Sequence, residues 1–228
     1  MMAELLTRGL PGRHTRFKQT EIGEVPEGWE VVSLESCLSR LIDYRGKSPP
    51  KDDRGVPLIT AKNVRDGYIN SEPREYIVLE KFDSWMSRGV PDPGDVLFTT
   101  EAPLGKAAAV PIGKFALGQR LITLCPDRQR IDPIFLLWML IGPPFQELLL
   151  SKATGSTVKG IKQSVLRTLQ VLVPPLEEQR AIGKMIQSVA DRVWAEEQNR
   201  GALVRLKAAL MSVLLTGELR VTPDEAAA

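Results

Sequence analysis

The stretch Val173–Leu219 reads VPPLEEQRAIGKMIQSVADRVWAEEQNRGALVRLKAALMSVLLTGEL, and its punctuation decides the fold. The consecutive prolines Pro174 and Pro175 exclude a helix before them but suit a first turn, where the missing N–H of proline would find no partner anyway. Glu177 and Glu178 follow in that turn, where negative charge favours the helix dipole. Apolar residues then recur at spacings of three and four, as Ile182, Ile186, Val189 and Val193, and later Leu203, Leu206, Leu210 and Val213. Such a seam is coiled-coil-like. Between its halves lies the polar run AEEQNRGA with Gly201, where a shift of register is expected. About 40 residues at 1.5 Å each give a helix of roughly 60 Å. One apolar face of that length needs a partner helix.

The chain of 228 residues holds one ordinary domain besides this helix. Hydrophobic and charged fractions of 43% and 25% belong to a soluble globular chain and not to a disordered one. No run approaches the ~18 apolar residues of a membrane span, so no membrane association is expected, and LLWMLIG at 136–142 reads as a buried helix. No apolar segment followed by a cleavage site opens the chain, so a cytoplasmic location is expected. Cys37 and Cys125 stand alone, which fits a reducing compartment. With one histidine, His14, in an arm expected to be mobile, no metal site is expected. The net charge of +2 does not announce a nucleic-acid binder, so the distribution of charge has to decide.

The chain begins much as the helix ends. Met2-Ala3-Glu4-Leu5-Leu6-Thr7 matches Met211-Ser212-Val213-Leu214-Leu215-Thr216 at four of six positions, suggesting a repeat of helix tail, globular domain and long helix. Between these ends, WEVVSL, VPLITAKNV, GYI, REYIVL, GDVLFTT, KAAAVPI and LITLC alternate or are rich in β-branched residues, with glycine and proline between them. They predict five to seven short strands. Asp132 and Pro133 start a helix through IFLLWMLI, and FQELLLSKA predicts a second after Pro143 and Pro144. The expected class is α+β, one mixed domain followed by a long C-terminal dimerisation helix. Its expected parts are an arm at 1–20, the domain at 21–172, the helix at 173–219 and a tail at 220–228.

Little in the sequence supports catalysis. Gly142-Pro143-Pro144-Phe145 is similar to the loop that holds a target amino group in DNA methyltransferases, but glycine replaces the residue that would hold it, and no GxGxxG loop accompanies it. No Asp or Glu stands two residues before a lysine, as a metal-dependent nuclease would favour, and no GxxxxGK[ST] loop is present. Binding is the better reading. Residues 43–65 carry Arg45, Lys47, Lys51, Arg54, Lys62 and Arg65, and residues 151–167, which lack any acid, carry Lys152, Lys159 and Lys162 among Thr154, Ser156 and Thr157. Lysines neutralise phosphate, while small hydroxyl residues and glycines let backbone N–H groups approach it. Asn63, Gln119, Arg120 and Gln163 are of the types that pair with base edges.

Taken together, IGEVPEGWEVVSL (22–34), GKSPP and GVPLITAKNVRDGYI within 46–69, PGDVLFTTEAPLGKAA (93–108), VLVPPLEEQRAI (171–182) and LKAALMSVLLTGELRV (206–221) resemble the specificity (S) subunits of Type I restriction-modification systems. That family's usual pattern is a target-recognition domain and a long conserved helix, each present twice. This chain carries each once, as a half-subunit or the second half of a longer one would. The resemblance implies double-stranded DNA as ligand, and methyltransferase (M) and restriction (R) subunits as partners. It places S-adenosylmethionine, ATP and magnesium in those partners, with no cofactor and no catalysis in this chain. A half-subunit is expected to form a homodimer through antiparallel helices and to read a bipartite site, its halves one to two DNA turns apart. The rival expectation is a coiled-coil assembly protein that binds no DNA.

Overall fold

The computed structural model describes residues 1–44, 46 and 48–217. Arg45, Lys47 and the expected tail 220–228 lie outside them. The chain divides into a compact unit, Met1–Gln187, and a second unit that begins at Ser188. Its α-helices are α1 (Met2–Arg8), α2 (Phe82–Trp85), α3 (Pro133–Ile141), α4 (Pro143–Lys152), α5 (Gln163–Thr168) and α6 (Leu176–Leu215).

The compact unit is built on a four-stranded antiparallel sheet in the spatial order Leu38–Asp43, Leu121–Pro126, Val96–Thr100 and Leu104–Ala109. Its two inner strands are buried along their whole length, because both faces are covered. On one side α3 packs across Val96–Thr100 and Leu104–Ala109, and Phe98 meets Phe145 of α4 edge to face. On the other side Ile42, Leu97, Ala108 and Leu121 share a core with Val56, Leu58, Ile77 and Leu117. Those last four belong to a second sheet, ordered Ala116–Leu117, Val56–Ile59, Tyr76–Ile77 and Lys51–Asp52, whose first pair alone is parallel. Two antiparallel ribbons complete the unit, Phe17–Thr20 with Gly23–Pro26 and Glu30–Ser33 with Gln170–Val173. The class is α+β as expected, with more strands than the sequence pattern predicts. Of the predicted strands only GYI fails to form one, leaving an isolated bridge between Val64 and Ile69.

The helix starts read from the sequence are present. Asp132 Oδ1 accepts from the backbone N–H groups of Ile134 and Phe135, both at 3.0 Å, with Pro133 at the first helical position of α3. Residues 135–140 are buried, so LLWMLI is a core helix. No single helix among the described residues is long and apolar enough to cross a membrane.

The first turns of α6 are bolted into the compact unit by two adjacent buried polar residues. Glu178, 1% exposed, accepts from Trp29 Nε1 at 3.1 Å, meets His14 Nε2 at 2.7 Å and lies 3.4 Å from the Leu10 N–H. Gln179, with no exposure, accepts from the Asp132 N–H and donates to the carbonyls of Arg130 and Pro174. His14, expected in a mobile arm, is therefore held against α6 and stacks edge to face on Trp29. The arm is anchored at α1 as well. Leu5 and Leu6 are buried, and Leu6 fills the space over Gly142, where a Cβ would come within 2.3 Å of it. Gly142 is thus the break between α3 and α4 and the seat of α1, with Pro143 and Pro144 opening α4.

One expectation about α6 needs correction. Ile182 and Ile186 do not belong to a dimer seam: they are 0% and 6% exposed, because Gly183 lets α6 lie close to the start of α3. Burying each contributes roughly 1.5–3 kcal/mol to the compact unit. The backbone of α6 runs through Gly201 as one uninterrupted α-helix. Ile182, Val189, Glu196, Leu203 and Leu210 keep a seven-residue spacing through the polar run. Glu196 is a polar residue within that row, and the second apolar row steps from Val193 to Leu206, thirteen residues and not a multiple of seven. From Ser188 onward the apolar residues are exposed, among them Val189, Val193, Leu203, Leu206 and Leu210, with Val213 half-buried.

Glu178→Ala removes the acceptor of a buried indole N–H and is expected to destabilise the chain by about 2–4 kcal/mol. Equilibrium urea unfolding measures this, and an unchanged midpoint would show that the buried carboxylate is not an anchor.

Candidate nucleic-acid interface

Three segments that carry candidate residues far apart in sequence meet on one surface of the compact unit. The Thr100 N–H donates to the Arg120 carbonyl, and the Ile161 N–H donates to the Thr100 carbonyl, each at 3.0 Å. Glu101 pairs with Gly160 as an antiparallel bridge, and Gln119 Nε2 donates to Ser48 Oγ at 3.2 Å. The strand end at Thr100–Glu101 therefore joins Gln119–Arg120 on one side to residues 151–167 on the other. Ser48 brings in the first basic segment. A cleft of about 190 Å³ opens there, lined by Ser48, Lys51, Thr60, Lys62, Gln119 and Arg120 among others.

The second basic segment is a structured loop. After α4 ends at Lys152, Thr154 and Gly160 exchange both backbone hydrogen bonds at 2.9 Å, closing a tight loop between them. Gly155, at φ +108°, makes the closure possible, since a Cβ would lie 2.1 Å from the Val158 carbonyl oxygen. Ser156, Thr157 and Lys159 occupy the exposed loop, and Thr154 and Lys152 flank it, also exposed. Lys162 precedes α5 and is exposed, while Gln163 opens that helix half-buried.

The positive charges differ in their availability. Lys62, Lys152, Lys159 and Lys162 are exposed and make no ion pair among the described residues, and Arg54 is likewise exposed. Lys51 Nζ contacts Glu75 Oε1 at 2.7 Å, and Arg120 Nε contacts Glu101 Oε1 at 2.9 Å. Arg65 donates to the carbonyls of Lys62 and Val64, so its guanidinium is turned onto its own loop. Asn63 has to be removed from the base readers. It is 4% exposed, its Oδ1 accepts from the Thr60 N–H and hydroxyl, and its Nδ2 donates to the carbonyls of Asn70 and Pro73. All its polar capacity goes into fixing the loop after Val56–Ile59. The carboxylates Glu75 and Glu101 went unpredicted, because nothing in the sequence marks which acids face these cations.

The buried thiols have a different character. Burial, with Asp95 next in effect, pushes the Cys125 thiol up to about 12, and burial also raises Cys37. Thiols held protonated in this way are poor nucleophiles. Among the described residues no group of three or more His, Cys, Asp or Glu side chains stands together to hold a metal.

Residues 26–203 match the model of the Type I restriction modification DNA specificity domain. The chain belongs to that family. Among similar specificity-domain proteins is a specificity subunit, MjaX, of Methanocaldococcus jannaschii, 31% identical over 97% of this chain and 50% of its own length. A second from the same organism, MjaVIII, is 28% identical over 97% of this chain and 53% of its own. The HsdS subunit from Thermoanaerobacter tengcongensis matches 96% of this chain and 49% of that one with a TM-score of 0.55 at 25% identity. A chain from a type I R-M system assembly gives 0.57 at 26% identity, over 93% and 49%. This specificity domain with its helix thus spans about half the length of the curated relatives it matches.

The position of Asn63 in the specificity domain gives a test. Asn63→Ala strands buried partners in three places and is expected to cost about 2–4 kcal/mol of stability. The base preference of the protein that remains folded should not change. An altered preference in a DNA selection would return Asn63 to the interface.

Proposed function

We propose that the chain is the sequence-reading part of a Type I restriction-modification system: it binds duplex DNA and directs M subunits, and through them R subunits, to the site. The observation that carries this reading is the meeting of residues 48–62 and 119–120 around one cleft, with residues 151–167 joined to the adjoining strand end through the Glu101–Gly160 bridge, which gathers charge that the total of +2 conceals. Lys62, Lys152, Lys159 and Lys162 neutralise phosphates, and the backbone and hydroxyl groups of 154–157 approach them. Chemistry resides in the partners, which supply S-adenosylmethionine, ATP and magnesium, and the system works in the cytoplasm.

Two copies pair through their helices in this reading. From Ser188 onward Val193, Leu203 and Leu206 are 52%, 64% and 55% exposed, which is apolar surface of the kind a second antiparallel helix would cover. Such a homodimer presents two recognition domains, and its site is bipartite with inverted halves.

Selection of bound or methylated sites from random DNA, with the M subunit present, is the deciding experiment, and a bipartite motif is the expected result. Lys159→Ala with Lys162→Ala should weaken binding to all sequences alike and lower the slope of log affinity against log salt by about 1–2. A protein that forms the helix pair but shows no salt-dependent DNA binding with M present would instead be an assembly protein.

A further inference from the structure

Of the candidate readers, Arg120 alone is both exposed and fixed at backbone and side chain. We infer that Arg120 reads a guanine in the recognised half-site through the outer edge of its guanidinium, with Glu101 as its positioning residue. This rests on the cleft being a duplex-DNA surface.

The backbone carries the first part of the argument. Arg120 has φ +65°, a left-handed conformation that L-residues with side chains avoid and that persists only where surroundings enforce it. Thr100, 2% exposed, supplies the enforcement. Its N–H and its hydroxyl both donate to the Arg120 carbonyl, at 3.0 and 3.3 Å. The conformation turns the side chain out of a strand entrance whose following residues, Leu121 and Ile122, are buried.

The side chain carries the second part. Glu101 Oε1 holds Nε at 2.9 Å, and Glu101 is itself fixed by its bridge to Gly160. The two terminal nitrogens have no protein partner among the described residues, and the side chain is 54% exposed. An ion pair this exposed adds little to stability. What it does is hold the guanidinium plane by one corner, so that its outer edge presents two parallel N–H donors. Preorganised donors lose less freedom on binding than a free arginine would.

Two parallel donors match the O6 and N7 acceptors of guanine in the major groove, whereas adenine sets an amino group against one of them. Lys51 and Lys62 line the same cleft and suit the flanking phosphates, and Gln119 is anchored beside it on Ser48. The other candidates lack this combination. Asn63 is buried, Arg65 is turned onto carbonyls, and Arg54 makes no supporting contact among the described residues.

The test is selection from random duplex DNA by the full chain with its M subunit, for wild type, Arg120→Ala, Arg120→Lys and Glu101→Ala. The wild-type motif should contain an invariant guanine. Arg120→Ala and Arg120→Lys should both lose the preference at that one position, by roughly tenfold to a hundredfold, with all other positions intact. Lysine fails there because it keeps the charge without the planar fork. Glu101→Ala should blur the same position while affinity for random DNA does not fall. Circular dichroism and the urea midpoint establish that each variant is folded. A wild-type motif that all three variants retain, with at most an even loss of affinity, makes Arg120 a phosphate contact and overturns the assignment alone. A wild type that selects no motif overturns the DNA-reading function and the assignment together.

Discussion

A buried carboxylate and the buried carboxamide next to it hold this molecule together. A carboxylate removed from water costs several kcal/mol unless its oxygens find donors. Glu178 finds them in Trp29, His14 and Leu10, three residues from two separate parts of the chain. Gln179 does the same for the turn before α3 and for the proline pair before α6. Because the partners must converge on one point, the first ribbon, the arm, the start of α3 and the start of α6 are fixed relative to each other inside the compact unit. Sequence variation at the exposed loops around the cleft can then proceed without moving the frame.

Much of this fold could be read from the chain because local signals were strong. The Pro-Pro start, Asp132 with Pro133, and the β-branched runs act through backbone sterics and capping, which do not depend on distant residues. Glu178 shows where such reading stops. Its place in a first turn suits the helix dipole, and that suffices for a surface glutamate, but its burial depends on residues more than a hundred positions away. The isoleucines were misread for a related reason. Ile182 and Val189 have the same periodicity, and only the presence of α3 beside the first makes it core. The candidate site divides the same way. Glycine- and hydroxyl-rich composition marked residues 151–167 as a loop open to phosphate, whereas the enclosure of Asn63 by Thr60, Asn70 and Pro73 is a tertiary fact.

The surface around the cleft is not simply basic. Lys51 and Arg120 face Glu75 and Glu101, and the second oxygen of Glu75 is buried without a hydrogen-bond partner among the described residues. Lys106 likewise faces Asp66. Each such pair lowers the field felt by a distant polyanion while leaving the cation in place for a ligand that comes close. Charge of this kind favours short-range complementarity over long-range attraction, since screening removes what remains beyond about 10 Å at 0.1 M salt.

The anchoring of the arm also bears on how the chain reaches this state. His14 and Leu10 are separated from Glu178 by 164 and 168 positions, close to the largest separation that the compact unit permits. During synthesis the arm emerges before the rest of the compact unit, and its partner carboxylate is among the last parts of that unit to appear. The N-terminal segment must therefore wait, without its final contacts, while the sheets form behind it. Closing the unit is then a late event that joins both ends of the domain at once, and chains interrupted before α6 begins would leave Trp29 and the arm without their acceptor.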